Sequence, residues 1–177
     1  MKKNLKTLYV AIAILIFIVF IIVFISLKNN KLLSYNGITP SKSSKNDLLQ
    51  TLGQPDQIST ESGTTYEYKT NSPVRNDKYF LNDKDKVNLI KEIITSKDNI
   101  KFSDLIKKYG NSYTLLYGPD AQTGFNLYVY LEAGVAFIGN KNTEDVIEIW
   151  YFPKTDVQNF IKSYAPDYSF SYVFRQN

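Results

Sequence analysis

The sequence predicts an α+β protein: two tandem helix–antiparallel-strand repeats forming one sheet with helices on one face, preceded by a single transmembrane helix. Three observations predict it. Residues 8–27 form an uncharged apolar run. Two short amphipathic runs, "NDLLQTLG" and "SDLIKKYG", each end in glycine and lie 57 residues apart. After each of them the apolar residues change from helical spacing to alternation, the period of a half-buried strand. The expected organisation is a cytoplasmic tail over 1–7, a membrane helix over 8–27, a linker over 28–40, a first α/β repeat over 41–98 and a second over 99–177.

The membrane helix rests on length. Leu8 to Leu27 is 20 residues without a charge, which at 1.5 Å per residue spans about 30 Å of hydrocarbon. Lys2, Lys3 and Lys6 precede it and Lys28 and Lys31 follow it. With the terminal amine added to the first group, the positive-inside rule favours a cytoplasmic N-terminus and an extracytoplasmic C-terminal domain, in a single-pass cell-membrane protein. A cleaved signal peptide would have a shorter apolar region and small residues at the cut, and "FISLKNN" has no A-x-A site.

Past a polar spacer, Ser44 with Asp47 three residues on has the form of a capping box. Leu48, Leu49 and Leu52 then line one helical face. Gly53 suits the residue after the helix, since glycine takes positive φ cheaply, and Pro55 prevents the helix from resuming. "TTYEYKT" and "KYFL" alternate as strands. "KVNLIKEIIT" fits a helix through Val87, Ile90 and Ile94, or a strand through its β-branched content. The second copy favours the strand, because "FNLYVYL", "GVAFI" and "DVIEIWYF" read as three strands after the helix of Phe102, Leu105, Ile106 and Tyr109 and its stop at Gly110. A third helix follows, with Thr155 and Gln158 as its capping box and Val157, Phe160, Ile161 and Tyr164 as its face. The tail "YSFSYVFR" alternates strictly and reads as a closing strand.

Composition excludes much chemistry. With no Cys and no His, there is no disulfide, no thiolate nucleophile, no Cys/His zinc site and no Ser-His-Asp arrangement. The net charge of +4 falls to about +1 once the three N-terminal lysines are set aside, so the remainder carries no nucleic-acid footprint. Fourteen Tyr and eleven Phe supply a core and argue against disorder. No cofactor or metal is expected. "DKD" at 83–85 resembles the start of a calcium loop, but no glycine follows at its sixth position and Ile94 stands where a glutamate ligand belongs.

The stretch "GITPSKSSKNDLLQTLGQPDQI", followed by Tyr66 and Tyr68, resembles the small-protein-A/outer-membrane-lipoprotein-A (SmpA/OmlA) family with its BamE-like fold. The tandem arrangement is similar to that of the β-lactamase inhibitory protein. The resemblance rests on Ser44, Asp47, Leu48, Leu52, Gly53, Pro55 and Asp56 and extends weakly to the second copy through Asp104 to Gly110. It implies a non-enzymatic role in the bacterial cell envelope, holding a complex together or binding a protein. Those relatives carry a lipidated cysteine or disulfides, and this chain has neither.

Strand alternation supplies the candidate partner-binding residues. On "FNLYVYLE", Asn126, Tyr128, Tyr130 and Glu132 share a face; on "DVIEIWYF", Val146, Glu148, Trp150 and Phe152 do. If both faces point away from the helices, Tyr128, Tyr130 and Trp150 stand on open sheet beside Glu132 and Glu148. Tyrosine and tryptophan are favoured at binding hot spots. The expected function is a membrane-anchored extracytoplasmic interaction module, non-enzymatic, with an envelope or extracellular protein as partner. The alternative is a cell-wall glycan hydrolase using Glu132 and Glu148 as its carboxylate pair.

Overall fold

The computed structural model describes residues 14–17, 32–61 and 63–172. The chain divides into two units, residues 1–31 and 32–177. In the first, residues 14–17 are helical and exposed, and the rest of the expected membrane segment lies outside the described residues. Among the described residues no helix is long and apolar enough to cross a membrane. A span needs about 20 helical residues. This corrects the transmembrane helix over 8–27 and the single-pass cell-membrane placement built on it.

In the second unit, helix α1 (Lys45–Leu52) starts where Ser44 and Asp47 cap each other: the Asp47 N–H donates to Ser44 Oγ at 3.2 Å and the Ser44 N–H to Asp47 Oδ2 at 2.7 Å. It stops at Gly53, whose φ of 81° and ψ of −161° lie where side-chain-bearing residues are strained. Strands β1 (Gln57–Ser59), β2 (Thr65–Tyr68), β3 (Asp77–Leu81) and β4 (Val87–Ile93) follow as an antiparallel meander. The ambiguous "KVNLIKEIIT" segment is therefore a strand. Helix α2 (Phe102–Tyr109) ends at Gly110 with φ 89° and ψ −178°. It leads into β5 (Thr114–Leu116), a short 3-10 turn (Ala121–Thr123), β6 (Phe125–Tyr130), β7 (Val135–Asn140) and β8 (Val146–Tyr151), again antiparallel. The two stops share a detail: Tyr68 donates its hydroxyl to the Gly53 carbonyl at 3.1 Å, and Tyr130 to the Gly110 carbonyl at 2.7 Å.

Strands β4 and β8 pair antiparallel, so the two meanders fuse into one eight-stranded sheet in the order β1-β2-β3-β4-β8-β7-β6-β5. Register fixes the faces. The row Tyr66–Tyr79–Ile90–Tyr151–Val135–Tyr130 crosses the sheet on one side. Leu48 of α1 packs in the cluster of Tyr66, Tyr79 and Ile90, and Phe102 and Leu105 of α2 in that of Tyr130 and Val135. Helix α3 (Val157–Tyr164) packs on the other side, its Phe160 clustered with Leu127, Val129, Ala136, Trp150 and Phe152. The expectation of helices confined to one face is thus overturned: Trp150 of β8 and Phe152 just beyond it alternate with Ile149 and Tyr151, and both sets are apolar enough to demand cover.

Three smaller expectations also change. The α3 cap is Asp156, whose carboxylate accepts from the Asn159 N–H at 2.9 Å, and not Thr155. The expected linker over 28–40 contributes core residues: Ile38 is fully buried, and the Tyr35 ring stacks on Tyr151 at 5.6 Å while its hydroxyl donates to Asp77 Oδ2 at 2.7 Å. The expected closing strand is a single bridge, Ser169 against Tyr117, and residues 173–177 lie outside the described residues.

Candidate ligand-binding site on the second sheet face

The second row of the sheet reads Gln57–Glu67–Lys78–Lys91–Trp150–Ala136–Val129. Its right-hand half is apolar and packs with α3. Its left-hand half is charged, and Lys91 stands at the junction. The Lys91 ammonium lies 3.8 Å from the centroid of the Trp150 ring and 5.5 Å from that of Phe80. A cation so placed is attracted by the ring quadrupole. Burial holds the Lys91 pKa below the ordinary lysine value, Glu148 opposing and Lys78 reinforcing the shift.

Neighbouring charges are already matched. Arg75 Nη2 donates to Glu148 Oε1, and the other carboxylate oxygen accepts from Trp150 Nε1 at 2.7 Å. Lys78 pairs with Glu67 Oε1 at 3.2 Å, and Asn76 Nδ2 donates to Glu67 Oε2 at 3.3 Å. Two adjoining concavities meet at Arg75, Lys91 and Glu148. One, of about 430 Å³, reaches Trp150, Asp120 and Tyr168; the other, of about 290 Å³, lies toward Glu67, Val74 and Lys78. The sheet supplies a rigid floor, and the loop of residues 71–76 supplies Arg75 at the rim.

Of the expected site residues, the structure brings Glu148 and Trp150 together here and leaves the others elsewhere. Tyr128 and Tyr130 lie on the opposite face, buried against Phe102, Tyr109 and Tyr113. Burial pushes the Tyr130 phenol up to about 12. Trp150 is only 2% exposed. The expected open aromatic surface is therefore corrected: Tyr128 pairs with Phe137, and Phe137 with Ile149, so register puts Tyr128 beside Ile149 and not beside Trp150. Glu132 is exposed in the turn after β6 and lines a different concavity from Glu148. Gly53 and Gly110 stop the helices, and Pro55 follows the first stop before β1.

Sequence reasoning missed Lys91 and Arg75. Lys91 had a signal, because it stands between Leu89 and Ile93 on one side of a strand, where a lysine interrupts an apolar face. Arg75 had none: its partner Glu148 is 73 residues away.

The fold defines a class: an open antiparallel α+β sheet with two helices on one face and one on the other. It is similar to the crystal structure of a DUF4309 family protein (YjgB) from Bacillus subtilis subsp. subtilis str. 168, with a TM-score of 0.53 over 71% of this chain and 90% of that one, at 17% sequence identity. At that identity the likeness is one of fold alone. No protein-family model and no curated protein matches the sequence.

Proposed function

We propose that the chain is a non-enzymatic interaction module that holds a protein partner against the charged half of the second sheet face. One observation carries this reading. The apolar cluster beneath α3 ends at Lys91, and beyond it Lys78, Glu67 and Arg75 form an ordered charged floor beside two concavities. Val74 stands at the rim with 85% of its surface exposed. An apolar residue held next to fixed charges on a rigid sheet is a suitable anchor for a partner, because it adds buried area while the charges set orientation.

The test is site-specific photo-cross-linking. A photoreactive residue at position 74 is expected to capture a discrete protein that the same residue at position 50, exposed on α1 over the opposite face, does not. Arg75→Glu should abolish that capture. Identical species from both positions, or none from position 74, would overturn the reading.

A further inference from the structure

We propose that the Lys91 ammonium is the receptor for a single carboxylate of an acidic peptide, bound in the concavity between the 71–76 loop and strands β2–β4. The proposal rests on the interaction reading above and names the chemistry by which that face recognises its partner. Among the described residues, Lys91 is the one cation of this site with neither a hydrogen bond nor an ion pair; its aromatic contacts are the rings of Trp150 and Phe80. Aromatic faces attract a cation but accept none of its three N–H donors in the way an oxygen does. Lys91 lines both concavities, which places it where an oxygen ligand can approach.

Charge selects the ligand. The 290 Å³ concavity is lined by Arg75, Lys78 and Lys91 against Glu67 and Glu148. Arg75 is held by Glu148 and Lys78 by Glu67, which leaves the charge on Lys91 as the one positive charge of this lining without an ion-pair partner. A monoanion matches it. A dianionic phosphate adds a second charge that the two glutamates repel. The larger concavity carries Asp120, Asp167 and Glu148 around the same ammonium, which directs the anion to the smaller one. Partial burial strengthens the contact relative to an exposed lysine–carboxylate pair.

The chain holds one tryptophan, and it is the residue over which Lys91 sits, so its indole is a built-in reporter. The full chain is titrated with a glutamate-rich peptide while the Trp150 Nε1–H cross-peak and the indole fluorescence are followed, with sodium chloride at matched ionic strength, inorganic phosphate and a lysine-rich peptide as parallel arms. A saturable response to the glutamate-rich peptide is expected, weakened at least about tenfold in Lys91→Met and retained in Lys91→Arg. Lys91→Met keeps the apolar stem, and a melting curve checks that it folds. Equal response in Lys91→Met, a response matched by chloride, tighter saturation by phosphate, or no saturable response would each overturn the assignment. If the position-74 cross-link persists in Lys91→Met while the titration fails, the interaction face stands and the carboxylate assignment falls. If the cross-link is absent while the titration saturates, the reverse holds.

Discussion

Asp77 shows how one buried carboxylate shapes the behaviour of the first meander. Its oxygens accept from the Ile93 N–H at 2.8 Å and from the Tyr35 hydroxyl at 2.7 Å. Burial nevertheless raises its pKa above the usual aspartate value, the two hydrogen bonds only partly opposing the shift. Glu92, which accepts from the Tyr151 hydroxyl at 2.6 Å, is raised for the same reason. A carboxyl group raised in the folded state binds more protons folded than unfolded between its two pKa values. Stability therefore falls as pH rises through that window and is recovered as pH drops back toward the ordinary aspartate value. Asp77→Asn keeps an acceptor for Ile93 and removes the buried charge. We expect the variant to exceed the wild type in stability at pH 7, with the advantage shrinking to nothing below about pH 4. Urea titrations of both proteins across that range measure it, and an advantage that grows on acidification would refute the sign. The comparison between variants is needed because Asp47, Asp56, Glu144 and Asp156 shift the other way: backbone and side-chain hydrogen bonds lower their pKa values, and their contribution is lost on acidification.

Elements in this chain are bounded by glycine more sharply than by polarity. Gly53 and Gly110 hold φ of 81° and 89° with extended ψ, and a Cβ built on either meets nothing within 4 Å. The cost of alanine there is backbone strain alone. Gly53→Ala and Gly110→Ala should each destabilise the fold by about 1–3 kcal/mol, read as a lower urea midpoint at unchanged slope; a loss below a few tenths would show that the stops relax. These stops were legible in the sequence because a helical apolar run ending in glycine has one cheap geometry. Strands β2, β3, β6, β7 and β8 were legible from their apolar patterns and β4 by analogy with the second copy, whereas the three-residue rims β1 and β5 are too short to show a period. The side of the sheet each residue faces was not. Alternation divides a strand into two sets without saying which set meets a helix, and Tyr128 and Trp150 fell on opposite sides because β7 intervenes and fixes their register. The polar ends of β6 misled for a physical reason: Glu132 belongs to the turn after the strand and reports nothing about its middle. The third helix was placed nearly correctly and its face was not, since its apolar stripe is satisfied by either side of the sheet.

At the scale of the molecule, order in the sheet differs from order in the chain. Strands β4 and β8, 61 residues apart at their pairing of Ile90 with Tyr151, lie at its centre, and β1 and β5 at its rims. Hydrogen exchange should follow space and not sequence. Amides of β4, β7 and β8 are expected to be the slowest and those of β1 and β5 the fastest, because a central strand exchanges only through wider opening. Uniform protection across all eight strands would contradict this. The charged half-face was the least legible feature, since it is assembled from the loop before β3, from β4 and from β8, and only folding brings them together. The rims have a consequence of another kind. Each is three residues long, and β5 is followed at once by Tyr117, whose backbone is taken by Ser169 in two hydrogen bonds of 2.8 and 3.0 Å. Cross-β stacking uses segments of six or seven residues, so neither rim offers a fibril template of that length, and a chain this rich in tyrosine and phenylalanine is guarded against amyloid growth by the brevity of its outermost strands.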